Sequence, residues 1–202
     1  MNKILVLFAH PALEKSRINK YLIKGIEQLE AVTFHDLYQA YPELDIDVDH
    51  EQKLLEEHDF IILHHPFFWY STPAILKEWQ DLVLEHGWAY GSEGNALKGK
   101  HVMNVITTGG MEDAYSREGY NGRTMRELLL PLEQTFKLCK MRYLPPFIVH
   151  GTHSLAREDI ETHRRELHRF LDALSKDQID LDRAFRKDRI NADLDRIIRN
   201  GN

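Results

Sequence analysis

The 202-residue sequence predicts an α/β domain built on a doubly wound, five-stranded parallel sheet with helices on both faces. Three observations carry that expectation. Short continuous apolar runs, such as Ile4-Leu5-Val6-Leu7-Phe8 and Phe60-Ile61-Ile62-Leu63, suit parallel strands buried on both faces. Segments with apolar residues at helical spacing separate those runs. Strand and helix alternate five times, the pattern of successive strand–helix–strand units.

The first strand covers 4–8 and leads through a loop to Ser16, an N-cap candidate. Ile18, Leu22, Ile26 and Leu29 then recur at helical spacing and predict a helix over 18–30. A second strand spans 31–37, and residues 38–47 form a long connection. A short charged helix over 48–58 precedes the third strand, 60–64. Phe67, Phe68, Trp69 and Tyr70 follow between Pro66 and Pro73, a run poorly suited to a central strand or a helix. It reads as a loop that enters a helix over 74–85 at a proline tolerated in the first turn. Residues 87–100 contain four glycines and leave the alternation. A fourth strand spans 102–107, and a glycine-rich loop runs over 108–122. The helix over 123–140 carries Pro131, which predicts a kink or break. Pro145-Pro146 precede a fifth strand, 147–150, and a last helix spans 157–174.

Residues 175–202 change character. They are dense in Asp and Arg, with Ile179, Leu181, Phe185, Ile190, Leu194, Ile197 and Ile198 spread among them. Two readings stay open: a solvated, partly helical tail, or an arm that packs on a neighbouring subunit.

Composition bounds the function. A net charge of −6 argues against general nucleic-acid binding, which leaves a basic footprint. The single cysteine, Cys139, fits a reducing, cytoplasmic compartment and forbids an intrachain disulfide. Its apolar neighbours give it a packing role rather than a nucleophilic one. The opening MNKILVLFAHPALEKS has too short an apolar run for a signal peptide and no small-residue cleavage site. No apolar run reaches membrane-spanning length, so a membrane enters only through a partner.

In an open doubly wound sheet, ligands sit beyond the carboxyl ends of the strands near the switch in strand order. Three unusual loops follow strands one, three and four. The first holds His10 and Ser16-Arg17-Ile18-Asn19 at a helix start, where free N–H groups and hydrogen-bonding side chains favour an anion. No P-loop or dinucleotide glycine pattern is present. The alternative is that Ser16 is only a cap. The second is the aromatic row, which either covers a flat ligand or plugs the core. The third, Thr107-Thr108-Gly109-Gly110, lets backbone approach a ring closely and offers N–H groups to developing negative charge. His64 and His65 alternate across a strand and cannot chelate one ion together. His150 and His153 have no Cys or carboxylate cluster beside them, so no metal is expected.

The blocks FAHP…SRIN, HHPFFWYSTPAILKEWQD, GWAYG and TTGGMEDAYSREGYNG occur in this order. Over about residues 2–174 the chain resembles the flavodoxin-like NAD(P)H:quinone oxidoreductases, in the bacterial branch near the ancillary subunits of glutathione-gated potassium-efflux antiporters. The resemblance implies a flavodoxin-like flavin-binding domain over 1–174, with 175–202 outside it. It implies FMN or FAD as cofactor, the short chain favouring FMN, and NAD(P)H as electron donor. The activity implied is two-electron reduction of quinones or related electrophiles by ping-pong hydride transfer. His10 and Ser16, Arg17, Ile18 and Asn19 match positions that hold the flavin phosphate and ribityl chain. Phe67, Phe68, Trp69 and Tyr70 match the loop along the isoalloxazine. Thr107, Thr108, Gly109 and Gly110 match the loop at its pyrimidine end. Tyr115 matches a tyrosine implicated in hydride transfer, and Asn121 stands where mammalian relatives place its histidine partner. Asn121 hydrogen-bonds but cannot relay a proton. Phe68 replaces a polar residue common in relatives. Trp88, Ala89 and Tyr90 match a substrate-slot segment contributed by the second subunit of a homodimer. The alternative function is a regulatory ancillary subunit of a potassium-efflux antiporter, held peripherally at the inner membrane by that partner. A homodimer is also expected because Trp88, Ala89, Tyr90 and Leu97 have no obvious home on their own subunit.

Overall fold

A computed structural model describes residues 1–199. The sequence-based reading of residues 200–202 lies outside the described residues. Six parallel strands, β1 (Ile4–Phe8), β2 (Val32–Asp36), β3 (Phe60–Pro66), β4 (His101–Thr107), β5 (Arg142–Tyr143) and β6 (Phe147–Val149), form one sheet in the order β2-β1-β3-β4-β5, with β6 also on β4. Ile4 pairs with Val32 on one side and Phe60 on the other, and Phe60 pairs with His101. The fifth strand position is thus shared by β5 and β6. Leu144-Pro145-Pro146 divides them, because proline has no N–H to donate to the ladder. The two-residue β5 is too short to show as a sequence pattern. The switch in strand order falls between β1 and β3.

Side-chain alternation sends the two halves of each strand to opposite cores. Leu5, Leu7, Ile61 and Leu63 face helices α2 (Leu37–Ala40), α3 (Val48–Glu57), α4 (Ala74–Val83), α5 (Met125–Leu128) and α6 (Leu130–Leu138). Ile4, Val6, Phe60 and Ile62 face α1 (Asn19–Leu22), α7 (Arg157–Ser175) and the C-terminal segment. Large side chains such as Trp79 and Phe170 are fully buried, each stabilising the fold by roughly 1.5–3 kcal/mol. Glu51 is buried yet ionised. Desolvation pushes its pKa up, but hydrogen bonds from His35 Nε2 (2.6 Å), Tyr41 O–H (2.6 Å) and Trp79 Nε1–H (2.8 Å) outweigh it and hold the pKa below the ordinary value. That carboxylate links β2, the connection before α3, and α4.

Four expectations need correction, the last of them for the C-terminal segment. The helix over 18–30 is only one α-helical turn, Asn19–Leu22, followed by a 3-10 turn at Ile26–Gln28. Gly25, at φ 86°, turns the chain left-handed and ends the helix, while Ile18, Leu22 and Ile26 remain buried. The connection over 38–47 contains α2, capped by Asp36 through Tyr38 N–H at 3.1 Å. The 87–100 excursion does have a home on its own subunit. Ala89 and Leu97 are fully buried, Trp88 and Tyr90 pack against the same core, and Lys140 Nζ donates to Gly91 O (3.0 Å), Gly94 O (2.7 Å) and Asn95 Oδ1 (2.9 Å). The break expected at Pro131 is present: α5 ends, and α6 restarts with Pro131 in its first turn.

The C-terminal segment is neither a solvated tail nor an arm reaching outward. Ile179, Ala184, Ile190, Leu194 and Ile197 are buried in the chain's own second core, through short helices α8 (Leu181–Ala184) and α9 (Leu194–Ile197). Asn191 lies alongside β6. Its Oδ1 accepts from Ile148 N–H (3.0 Å) and its Nδ2 donates to Ile148 O (2.8 Å). One side-chain amide therefore satisfies both backbone groups on the free edge of that strand.

Cys139 is buried, and burial pushes its thiol up to about 11, in keeping with packing. His64 and His65 are buried on opposite faces of β3. His65 belongs to a polar chain in which Asn104 Nδ2 donates to His65 Nε2 (2.8 Å) and Tyr143 O–H donates to Asn104 Oδ1.

Two outcomes follow for stability. Asn191→Ala should cost about 1–3 kcal/mol in urea denaturation, because it leaves a strand-edge N–H and C=O unpaired; an unchanged midpoint would contradict the edge-capping role. Burial pushes His64 down to about 3 and His65 down to about 4. The unfolded imidazoles titrate near 6.5, so on acidification the unfolded state takes up protons before the native state does. The contribution of these two groups should be complete above pH 6.5 and fall as the pH drops from there to about 4 for His65 and about 3 for His64. His65→Gln should flatten part of that slope, and a urea midpoint constant across the window would refute the assignment.

Candidate functional site

The carboxyl ends of β1, β3 and β4 deliver three loops to one edge of the sheet, around a cleft of about 490 Å³. His10, Ser16, Arg17, Ile18 and Asn19 line it from the first loop, Phe67 and Phe68 from the second, Thr107 and Gly109 from the third. The structure therefore brings most of the sequence-predicted cofactor residues together.

Asn19 ties these elements to one another. It is 3% exposed. Its Nδ2 donates to Ser16 Oγ (3.3 Å) and to Thr107 Oγ1 (3.0 Å), and its backbone N–H donates to Ser16 Oγ (3.1 Å). Its Oδ1 is then the acceptor for His64 Nε2 at 3.2 Å. Burial keeps His64 neutral, so its single proton lies on the nitrogen that Asn19 needs. One amide thus joins the loop after β1 to β3 and β4.

The anion-favouring end rests on loop and side-chain groups. With α1 only one turn long, its macrodipole is small. The N–H groups of Arg17 and Ile18 donate to no acceptor among the described residues. Ser16 Oγ already accepts from Asn19, which leaves its O–H to donate. His10 Nδ1 accepts from Ala12 N–H at 3.2 Å, which places the neutral ring's proton on Nε2. Burial, the largest effect, pushes the His10 pKa down against the opposing pull of Glu14. Arg17 lines the cleft and anchors the loop by donating from Nη2 to Leu155 O.

Rings and glycines follow β3 and β4, and of the predicted residues there Trp69, Tyr70, Thr108, Gly110 and Tyr115 do not line the cleft. Phe67 is buried, whereas Phe68, Trp69 and Tyr70 are exposed, Trp69 at 94%. Only the first aromatic therefore plugs the core. Phe68 to Ser71 form a tight turn, with Ser71 N–H donating to Phe68 O (2.9 Å) and both central residues left-handed, Trp69 at φ 50° and Tyr70 at φ 62°. Such a turn usually takes Asn-Gly, so two bulky aromatics there are strained. Tyr70 O–H donates to Asn121 Oδ1 at 3.0 Å, so the partner of Asn121 is Tyr70. Gly109 and Gly110 allow close approach: a Cβ on Gly109 would lie 2.7 Å from His153 Nε2, and one on Gly110 would lie 3.1 Å from the Tyr115 ring, so a larger residue at either position would push that side chain aside. The N–H groups of both glycines donate to no acceptor among the described residues. Thr108 turns away, its Oγ1 donating to Gly110 O at 2.8 Å. Tyr115 packs edge-on against Phe67 (6.3 Å) and lies 5.4 Å from the His150 ring.

Trp88, Ala89 and Tyr90 do not line this cleft; they belong to the core near Glu56, to which Trp88 Nε1 donates at 3.0 Å. Sequence reasoning missed Thr152 and His153, which line the cleft from the loop after β6. The available signal was their position beyond the carboxyl end of a fifth strand. His35, His50 and Glu51 bring ligating atoms within 4.8 Å of one another, but Glu51 is already occupied by His35, Tyr41 and Trp79.

Asn19→Leu keeps the side-chain size and removes every amide hydrogen bond. It should destabilise the chain by about 2–4 kcal/mol, since His64 and Thr107 lose buried partners. Thermal unfolding checks this, and a wild-type Tm would remove Asn19 from its linking role.

Comparison with known proteins agrees with this geometry. The ancillary protein KefG of the glutathione-regulated potassium-efflux system from Pectobacterium carotovorum subsp. carotovorum is 47% identical over 163 residues, covering 81% of this chain and 89% of that protein. A crystal structure of general stress protein 14 from Treponema denticola, in complex with FMN, is 40% identical with a TM-score of 0.81, covering 85% of this chain and 99% of that one. An NADPH-quinone reductase structure from P. pentosaceus is 33% identical with a TM-score of 0.76, covering 83% and 96%. Residues 2–171 match the family of the flavodoxin-like fold. The strand order, the rim cleft and these likenesses agree: the chain belongs to the flavodoxin-like fold family.

Proposed function

We propose that the chain is a flavin-dependent oxidoreductase that takes electrons from NAD(P)H and reduces quinones or related electrophiles by two electrons. One observation carries the reading. A single cleft is lined by Arg17, Ile18 and Gly109, whose backbone N–H groups donate to no acceptor among the described residues, and by Phe67 and Phe68. That donor set fits a nucleotide with a phosphate at one end and a flat, electron-accepting ring at the other. The FMN held by a relative of 40% identity supports the reading and favours FMN over FAD, and the quinone reductase of 33% identity supports the substrate class.

A bound flavin supplies the two-electron chemistry. Ser16 O–H, His10 Nε2–H and the Arg17 guanidinium would hold its phosphate, with the two free N–H groups of the loop. Neutral His10 would donate without adding charge, so the counter-charge would come from Arg17 and Lys15, both of which line the cleft. The free Gly109 and Gly110 N–H groups would be the donors available to negative charge on a bound ring. Tyr115, wedged against Gly110 and Phe67, orients the reacting partner. Asn121 cannot relay a proton; through Tyr70 it positions the aromatic turn. Trp88, Ala89 and Tyr90 would serve a substrate only across a homodimer interface.

A second reading concerns partners. The KefG relative and the exposed Trp69 and Tyr120, each 94% exposed, favour docking on the cytoplasmic part of a potassium-efflux antiporter, with the chain cytoplasmic and held at the inner membrane by that contact.

Purified protein should release FMN on denaturation and oxidise NAD(P)H with a quinone. A colourless protein that gains no activity on adding FMN or FAD would sink the enzyme reading. Tyr115→Phe should lower kcat by roughly 10²-fold with FMN retention unchanged. Trp69→Ala should abolish capture by the antiporter's cytosolic domain; equal capture by the variant removes the aromatic turn from that contact.

A further inference from the structure

Thr152 and His153 reach the cleft on a loop that three backbone hydrogen bonds fix to the loop after β4. Thr108 N–H donates to Val149 O (2.9 Å), Gly151 N–H to Gly110 O (2.9 Å) and Thr152 N–H to Thr108 O (3.0 Å). These bonds carry the pairing of β4 with β6 past the carboxyl ends of both strands. The His153 ring therefore lies on Gly109, its Nε2 2.7 Å from where a Cβ on that residue would be. The His153 side chain is exposed, and neither ring nitrogen has a hydrogen-bond partner among the described residues.

An imidazole on a fixed loop, with both nitrogens free, is available to whatever enters the cleft. It stands beside Gly109, whose N–H also donates to no acceptor among the described residues. It therefore joins the donors that follow β4, whereas the Ser16 loop carries those suited to a phosphate. Imidazole is the side chain whose charge ordinarily changes between about pH 5 and 8. Once charged, such a donor makes a shorter and stronger hydrogen bond than a neutral one. Other charged and titratable groups surround it. His10, Lys15 and Arg17 share the cleft from the first loop, and His150, at the end of β6, lies near Thr108 and Tyr115. No carboxylate lines the cleft among the described residues, so the acceptor for this imidazole comes with the ligand.

We propose that His153 is a catalytic residue of this cleft: in its protonated form it donates to negative charge on a bound ring, and it makes the cleft favour the reduced ring over the oxidised one as the pH falls. A hydride delivered to a neutral ring brings both electrons and leaves one negative charge there; the imidazole keeps its proton and stabilises that charge. The proposal deepens the flavoenzyme reading and rests on it.

Equilibrium reduction of FMN on the full chain, followed by absorbance against a reference dye at about pH 6 and pH 8, tests it. The readout is the affinity for reduced FMN relative to oxidised FMN, and comparison with wild type cancels the titration of free FMN and of His10. His153→Gln should lower that ratio about tenfold at pH 6, a fall of about 30 mV in potential for a two-electron couple, and change it far less at pH 8. His153→Lys, whose charge persists across this range, should keep the wild-type pH 6 ratio at both values. It also keeps the test open if the glutamine variant misfolds. Equal weakening of oxidised and reduced FMN at both pH values means a merely structural role and overturns the proposal. Riboflavin, which has no phosphate, should show the same His153→Gln effect; an effect confined to FMN puts the imidazole at the phosphate and also overturns it. A wild-type chain that binds no flavin removes the enzyme reading and this proposal together. Flavin binding and turnover with unchanged ratios in both variants remove this proposal alone.

Discussion

The Asn19 side chain has one acceptor and two donors, and the structure uses all three inside the protein. Ser16, Thr107 and His64 lie on three elements that approach one another only at the switch in strand order. A primary amide suits that place because it donates and accepts in one plane without a charge that burial would penalise. The pairing also selects the His64 tautomer, so the neutral imidazole is part of the same joint. The cleft exists because these three loops are held in register, and the N–H groups left free at Arg17 and Ile18 follow from the way Ser16 is engaged.

A similar device recurs away from the cleft. Glu51 binds His35, Tyr41 and Trp79, and Asn104 joins His65 to Tyr143. Each network connects elements on one face of the sheet through a polar group whose partners are complete. Apolar burial supplies most of the stabilisation on both faces, but it is non-directional. Buried polar joints of this kind restrict which helix lies over which strand, because a misplaced neighbour would leave a donor or a charge unpaired.

Much of this was legible in the sequence. The strands β1, β3 and β4 show as unbroken apolar runs, because parallel strands covered on both sides need no alternation. The convergence of His10, Ser16, Asn19, Phe67 and Gly109 could be read from three odd loops at one edge. Other features were hidden for physical reasons. The spacing of Ile18, Leu22 and Ile26 is satisfied equally by a helix and by a turn interrupted at Gly25, since burial depends on where side chains face and not on an unbroken hydrogen-bond ladder. The sparse apolar residues after Ser175 looked too few for a core because they share one that was already built. His153 and Thr152 were missed because the loop after β6 has a single glycine, Gly151, and no aromatic run, so only its address in the sheet marks it.

Asn191 points to something broader about the outer margin of the sheet. A lone strand with free N–H and C=O groups is a template on which another molecule can lay its own backbone, and that is a common start for fibrous or amorphous association. Here a side-chain amide imitates a passing peptide for one residue and then departs, giving an incoming strand no register to extend. The terminal segment is in this sense a guard against self-templating, a task that chains of this fold lacking the segment must meet by other means.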